Sequence, residues 1–212
     1  MGAALSWPDR LIAAVDQGLR TVAAAHGAAR PSPAERMLDP ALTDTERRSS
    51  AALMRVNHAG EVAAQALYSG QALVARSGAT RHQLDRAASE ERDHLAWCSQ
   101  RLGELDARPS VLDPLWYAAC FCMGAGTAAF GDRVSLGFVA ETEAQVEAHL
   151  KDHLQRLPAA DSKSRAILER MAEDEAHHGT MATLAGAQPL PWPVRRAMAF
   201  GGGLLRRISA IL

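Results

Sequence analysis

Between residues 45 and 186 the sequence consists of long helix-favouring stretches that are interrupted at only a few points. Strand-forming residues are sparse and aromatic residues make up 5% of the chain, whereas Ala, Leu, Glu and Arg are abundant. Gly and Pro stand at the interruptions, where they end a helix or prevent it from continuing. This pattern predicts an all-α fold.

Four long helices are predicted from these signals. The first two cover residues 45–76 and 80–102, and Ser77 and Gly78 separate them. A loop then leads to a third stretch, from Asp113 and Pro114 to residue 157, and a fourth covers 162–186. Short turns within each pair indicate two antiparallel hairpins. Two hairpins joined by a longer crossover form a ferritin-like four-helix bundle.

Two amphipathic segments flank this bundle. Residues 6–25 place apolar side chains on one stripe, which predicts an N-terminal amphipathic helix, and residues 27–44 contain three prolines and predict a linker. Residues 194–212 pair four arginines with apolar side chains and predict a C-terminal apolar and basic helix. We therefore expect residues 1–49 to form an N-terminal extension and residues 50–212 to form the main domain.

Charge and cysteine content limit the class of protein. The net charge of −1 gives no electrostatic footprint for nucleic acid, so no nucleic-acid partner is expected. Cys98, Cys120 and Cys122 are odd in number and lie in helical or apolar surroundings, which indicates buried thiols in a reducing compartment. The N-terminus has no secretory signal pattern.

The motif Glu-x-x-His occurs twice, as Glu91 with His94 and as Glu175 with His178. Residues three apart on a helix face the same way, so a Glu oxygen and a His nitrogen can bind one ion. Chance alone would produce roughly 0.5 such motifs in a chain of this composition. The motifs by themselves are therefore only suggestive of a metal site.

The positions of two further glutamates strengthen the argument. A two-metal site in such a bundle also needs one Glu from each of the other two helices, at the same level. At about 1.5 Å per residue, Glu61 lies level with Glu91 across the first turn, and Glu143 lies level with Glu175 across the second. The chain therefore contains a degenerate repeat of Glu followed by Glu-x-x-His.

Three glutamates on the third stretch compete for this role. Glu143 shares a stripe with apolar residues, whereas Glu141 lies on a more polar face, and Glu147 also remains a candidate. A carboxylate in an apolar stripe requires charge compensation, so we prefer Glu143.

Four carboxylates inside a bundle would repel one another and lose their hydration, at a cost of several kcal/mol each. Two divalent cations would offset this cost, and a set of oxygen and nitrogen ligands without thiolate suits iron or manganese. The alternative is that these glutamates lie on solvated faces.

Glu90 and Asp174 precede the two motifs, and we expect each to accept a hydrogen bond from a ligating His. In one arrangement, that His lies on the opposite helix. His149 and His177 are candidates for lining the site.

The sequence resembles the demethoxyubiquinone hydroxylase family over residues 50–212. The similarity rests on "LMRVNHAGEVAAQALYSGQ", "EERDHL", "PLWYAACFCMGAGTAAFGDRVSLGFVAETE" and "DEAHHG". It implies two iron ions per chain, with Glu91 and Glu175 able to bridge them. The metal-binding and catalytic residues that it implies are Glu61, Glu91 and His94 for one iron, and Glu143, Glu175 and His178 for the other.

The resemblance also implies a reaction. These enzymes are di-iron monooxygenases that use O2 to hydroxylate the ring of 2-polyprenyl-3-methyl-6-methoxy-1,4-benzoquinol during ubiquinone biosynthesis.

Residues 115–130 are uncharged and are either a buried core helix or a segment at the bilayer interface. The arginine-rich tail suits an interfacial helix or a fifth packed helix. We therefore expect a peripheral membrane protein on the cytoplasmic face of the bacterial inner membrane.

Other functions remain open from the residues alone. A ferritin-like ferroxidase, an iron store or a manganese catalase would use the same ligands, because a fold does not fix a function. A membrane-surface helical adaptor would need no metal. Self-association and accessory proteins of ubiquinone biosynthesis are also left open as partners.

Overall fold

A computed structural model describes residues 6–23, 27–39 and 41–212, and within these ranges it contains helices and no strand. The prediction of an all-α fold is confirmed. The helices are α1 (Trp7–Ala23), α2 (Asp44–Val74), α3 (Gly78–Glu104), α4 (Asp113–Ala129), α5 (Asp132–Arg156), α6 (Ser162–Leu184) and α7 (Trp192–Ser209).

Helices α2, α3, α5 and α6 form a ferritin-like bundle. Helices α2 and α3 make one hairpin, α5 and α6 make the other, and α3 packs on α6 between the pairs. One end of the bundle is filled by fully buried apolar side chains, among them Met54, Leu102, Leu150 and Met171. This apolar end fixes the relative rotation of the helices, and so the faces that they turn inward.

Side-chain caps set the starts of three of the four bundle helices, α2, α3 and α6. Thr43 and Glu46 form a reciprocal capping box at the start of α2. Ser77 accepts hydrogen bonds from Ala79 and Thr80 at the start of α3, and Asp161 accepts one from Ser164 at the start of α6.

The third predicted stretch is not one helix, and this expectation was wrong. The chain breaks at Gly131, which has φ of 111°, so α4 belongs to the crossover and α5 alone is the bundle helix. The carboxylate of Asp132 accepts hydrogen bonds from the backbone N–H groups of Arg76 (3.0 Å) and Ser77 (2.8 Å). These bonds attach the break to the turn between α2 and α3.

The uncharged segment forms α4, which packs closely along α2. A Cβ atom at Gly70 would overlap the carbonyl oxygen of Phe121, and one at Gly124 would overlap that of Leu67. The glycines therefore allow the two backbones to approach each other. Leu115 and Phe130 are 58% and 80% exposed, so α4 is not a buried core helix.

The flanking segments also pack on the bundle. Helix α1 ends at Ala23, and residues 24 and 25 of its predicted range lie outside the described residues. Helix α7 lies against α2 and α5, where Arg195 pairs with Glu141 at 2.7 Å, but Phe200 is 77% exposed. In the described residues, no helix combines the length and apolar character needed to cross a membrane.

The cysteines depart from the expectation of buried thiols. Cys98 is buried and contacts Met171, whereas Cys120 is partly buried and Cys122 is exposed. Cys122 is exposed because α4 packs on α2 with one face only, and its opposite face is open to solvent.

Candidate metal centre

The bundle brings all six predicted side chains to one level of its interior. Two groups of four side chains each place their ligand atoms within 4.8 Å of one another. The first group is Glu61, Glu91, His94 and Glu175, and the second is Glu91, Glu143, Glu175 and His178. Glu91 and Glu175 belong to both groups, so these two carboxylates lie where they could bridge two cations.

The two histidines turn the same ring atom inward. Nδ1 of His94 lies 3.1 Å from Glu91 Oε2, 3.4 Å from Glu175 Oε1 and 3.7 Å from Glu61 Oε2. Nδ1 of His178 lies 3.1 Å from Glu91 Oε1 and 3.5 Å from Glu175 Oε2. The helical spacing of three places each Nδ1 beside the Glu of its own motif. The packing of α3 on α6 also brings it beside the Glu of the other motif.

The outer ring atoms make crossed contacts between α3 and α6. Nε2 of His94 lies 3.0 Å from Asp174 Oδ2, and Nε2 of His178 lies 2.8 Å from Glu90 Oε2. Each acid therefore holds the His of the opposite helix, as the sequence suggested. An acid at Nε2 holds a proton on that atom, so Nδ1 is the ring nitrogen that could give its lone pair to a cation.

Several inward atoms have the arrangement expected of metal ligands. Glu61 Oε2, Glu91 Oε1, Glu175 Oε2 and His178 Nδ1 are buried and make no hydrogen bond, although each lies within ion-pair distance of a neighbour. Buried polar atoms normally have hydrogen-bond partners. Cations bound between these atoms would satisfy them, so the donor set fits divalent metals that accept oxygen and nitrogen ligands.

Burial and charge shift the ionisation of the cluster in opposite directions. Burial raises the pKa of Glu61 and Glu143 well above the usual value, and the neighbouring charge of Glu175 adds to the effect at both. Burial opposes ionisation of Glu91 as well, but attraction to His94 and His178 lowers its pKa well below the usual value.

The histidines hold protons strongly in this setting. Burial would lower the pKa of His178, but the close carboxylates of Glu175 and Glu91 raise it to about 12. The pKa of His94 is raised for similar reasons. Without cations, the raised pKa values favour the protonated forms of Glu61, Glu143 and both imidazoles.

We expect metal binding to release these protons, because cations compete with them for the same lone pairs. Carboxyl and imidazolium protons would leave, because the pKa values of Glu61, Glu143, His94 and His178 are raised, and affinity for Fe(II) should fall as the pH is lowered. Calorimetric titration with Fe(II) or Mn(II), in buffers of different ionisation enthalpy, measures the release. Binding with no proton release would contradict this ionisation pattern.

The sequence did not predict one buried partner of the cluster. Tyr68 is 1% exposed, and its hydroxyl donates a hydrogen bond to Glu143 Oε1. Tyr68 lies seven residues after Glu61, two helical turns along the same face, and this spacing was the available signal.

The other candidates lie elsewhere. Glu141 pairs with Arg195 and Glu147 pairs with Lys151, so neither joins the cluster. His177 is exposed. His149 lines a cavity, and its Nε2 is buried without a hydrogen-bond partner.

The cavity that His149 lines has a mostly apolar wall. It has a volume of about 510 Å³ and lies between α2, α4, α5 and α7. Gly60 and Thr142 are in its wall, and they directly precede Glu61 and Glu143 in the chain. The cavity wall therefore includes the chain neighbours of two of the cluster glutamates, while none of the six cluster side chains lines it.

Comparison with known proteins identifies the family. A family model described as "Ubiquinone biosynthesis protein COQ7" matches residues 48–203. The chain is 57% identical over 192 residues to the 3-demethoxyubiquinol 3-hydroxylase of Cupriavidus taiwanensis, covering 90% of this chain and 93% of that protein. It is also 54% identical over 201 residues to the protein of that name from Verminephrobacter eiseniae, covering 95% and 97%. The resemblance found in the motifs is thus confirmed, and the chain belongs to the ubiquinone biosynthesis protein COQ7 family.

Proposed function

We propose that this protein is an O2-dependent di-iron hydroxylase that acts on the ring of 2-polyprenyl-3-methyl-6-methoxy-1,4-benzoquinol. The observation that carries the proposal is the pair of overlapping buried ligand groups that share Glu91 and Glu175. The shared name of the relatives, 3-demethoxyubiquinol 3-hydroxylase, supports the substrate class and the reaction.

Each ion would have two ligands of its own and share two with the other ion. Glu61 and His94 would bind one iron, Glu143 and His178 would bind the other, and Glu91 and Glu175 would bridge them. When bound, a reduced iron pair supplies two electrons for O2 reduction, so that one oxygen atom enters the ring and the other leaves as water.

The chain itself prepares this site in three ways. Asp174 and Glu90 hold the outer nitrogens of His94 and His178, which keeps both inner nitrogens aimed at the carboxylates. Tyr68 fixes one oxygen of Glu143 through its hydroxyl. Burial of all six side chains excludes bulk water, which strengthens electrostatic interactions at the site.

The apolar cavity suits a quinol with an isoprenoid tail. Its lining is mostly apolar and contributed by four helices, which is typical of sites for hydrophobic ligands. His149 adds a polar atom, Nε2, that is free to bind a quinol hydroxyl. Burial and the charge of Arg206 lower the pKa of His149 to about 4, so this ring is neutral near pH 7.

Exposed apolar side chains on or directly after α4 and α7 support peripheral binding to the cytoplasmic face of the bacterial inner membrane. Phe130, Phe200 and Ile211 are about four-fifths exposed, at 80%, 77% and 81%. Arg196 and Arg207 on α7 add positive charge, which favours anionic lipid. Because α4 and α7 also line the cavity, a lipid tail could enter from that side.

We expect the protein to float with vesicles that contain anionic lipid and to remain in the soluble fraction with neutral vesicles or at high salt. The measurement is flotation of the full chain. If the protein binds no vesicle yet converts a long-tailed quinol without detergent, the membrane part of the proposal is wrong.

Single-turnover chemistry tests the proposed reaction. The metal-free protein is loaded with Fe(II) without oxygen, mixed with a short-tailed demethoxyquinol, and then exposed to O2. We expect a product that has gained one oxygen atom, with the label from isotopic O2. Oxidation of iron without any hydroxylated product would instead favour the ferroxidase or iron-storage function.

A further inference from the structure

The segment 27–39, which precedes α2, packs across the outer side of the cluster of Glu and His side chains. Within it, Ala29 donates a backbone hydrogen bond to Asp93 Oδ1 at 2.6 Å, and Arg30 Nε lies 2.6 Å from Asp93 Oδ2. Trp97 Nε1 donates to the carbonyl of Arg30 at 3.2 Å, and the guanidinium lies 5.0 Å from the centre of the Trp97 ring. Arg30 is therefore held by α3 through both its backbone and its side chain.

The other arm of Arg30 reaches α6. Its Nη1 lies 2.9 Å from Asp174 Oδ2, the oxygen that is also 3.0 Å from His94 Nε2. Arg170 Nη2 lies 2.6 Å from the remaining oxygen, Asp174 Oδ1. Both oxygens of Asp174 are thus fixed, and Arg30 joins the two helices that carry the Glu-x-x-His motifs.

The corresponding acid on the other side is held less firmly. Glu90, which contacts His178, is 33% exposed at its side chain, against 8% for Asp174. Among the residues that the structure describes, Glu90 forms no ion pair with Lys or Arg. The two histidines are therefore not supported equally, and the difference arises from Arg30 and Arg170.

We propose that Arg30 is a positioning residue for His94, acting through Asp174. With the proton held at Nε2 by a fixed acceptor, Nδ1 of His94 stays directed at Glu61, Glu91 and Glu175. The inference rests on the proposed metal site and adds to it, because the N-terminal segment then completes one of the two metal positions.

A double-mutant cycle tests this role. The full-length wild type, Arg30→Met, Asp174→Asn and the double variant are titrated with Fe(II) against a competing chelator without oxygen. Met keeps the contact with Trp97 but removes the donors. Loss of an outer partner of a ligating His weakens metal binding by about 10–100-fold, and we expect about 10-fold for Arg30→Met at one of two sites.

The double variant separates a positioning effect from general damage. If Arg30 acts through Asp174, adding Arg30→Met to Asp174→Asn should change Fe(II) affinity by less than about 2-fold. An unchanged affinity in Arg30→Met, or the same 10-fold loss in the Asp174→Asn background, would overturn the proposal.

A matched control lies at the far end of the segment. Asp39 pairs with Lys163 at 2.6 Å, and Ala34, between Arg30 and Asp39, is 5% exposed in the core. Asp39→Asn loosens this end without touching Asp174, so its Fe(II) affinity should stay within about 2-fold of wild type. A loss equal to that of Arg30→Met would show that the segment acts only by packing.

Wild-type protein that binds no Fe(II) would contradict the proposed function itself. This result differs from an unchanged affinity in Arg30→Met, which contradicts only the role of Arg30.

Discussion

Glu175→Ala is expected to abolish hydroxylation and to remove bound iron from both positions. Glu175 is 1% exposed and belongs to both ligand groups, so its loss removes a donor from each ion at once. Loss of an outer partner alone costs about 10–100-fold, so we expect loss of this shared ligand to lower turnover by at least about 1,000-fold. The measurements are iron content per chain and product formed in a single turnover.

A second variant on the same helix controls for general effects of the substitution on folding and surface charge. Glu169→Ala removes an exposed carboxylate from α6 and should leave iron content and turnover unchanged. Glu175→Gln keeps the shape of the side chain, and far-ultraviolet circular dichroism reports whether each variant remains helical. A folded Glu175 variant that binds two iron ions and turns over normally would remove Glu175 from the site.

Gly60→Phe is expected to block the substrate while leaving the iron in place. A side chain at Gly60 meets no atom within 4 Å at its Cβ position, and Gly60 lines the apolar cavity, so a phenyl ring would occupy that space. Displacement of a substrate by about 1 Å from the reacting position can cost about 100-fold. We therefore expect kcat/KM to fall by about 100-fold for the quinol, at unchanged iron content.

Gly60→Ala is the matched control for this variant. It adds only a methyl group in open space and improves helix propensity by up to about 1 kcal/mol, so activity should remain near wild type. If Gly60→Phe binds iron and hydroxylates the quinol at the wild-type rate, the substrate does not approach through this cavity.

The clustering of the six side chains could be predicted from the sequence because its geometry is local. Helical spacing places Glu91 beside His94, and a constant rise per residue places Glu61 and Glu143 level with them once the turns are known. The choice of Glu143 over Glu141 followed from its apolar stripe, and Glu143 is 3% exposed while Glu141 pairs with Arg195.

Other features depend on contacts between distant parts of the chain. Arg30 and Asp174 are 144 residues apart, and nothing in the local pattern around Arg30 indicates that pair. The break at Gly131 had a local signal, a glycine followed by Asp132, but apolar residues on both sides masked it. The packing of segment 27–39 was likewise hidden, because its prolines are equally typical of a free linker.

We propose that two cations balance the four buried carboxylates in the bundle. The most direct test is titration of the metal-free protein with Fe(II) in the absence of oxygen, followed by Mössbauer spectroscopy after oxidation. We expect two iron ions per chain with magnetically coupled spins, because Glu91 and Glu175 would bridge them. Binding of a single ion, or of two uncoupled ions, would contradict it.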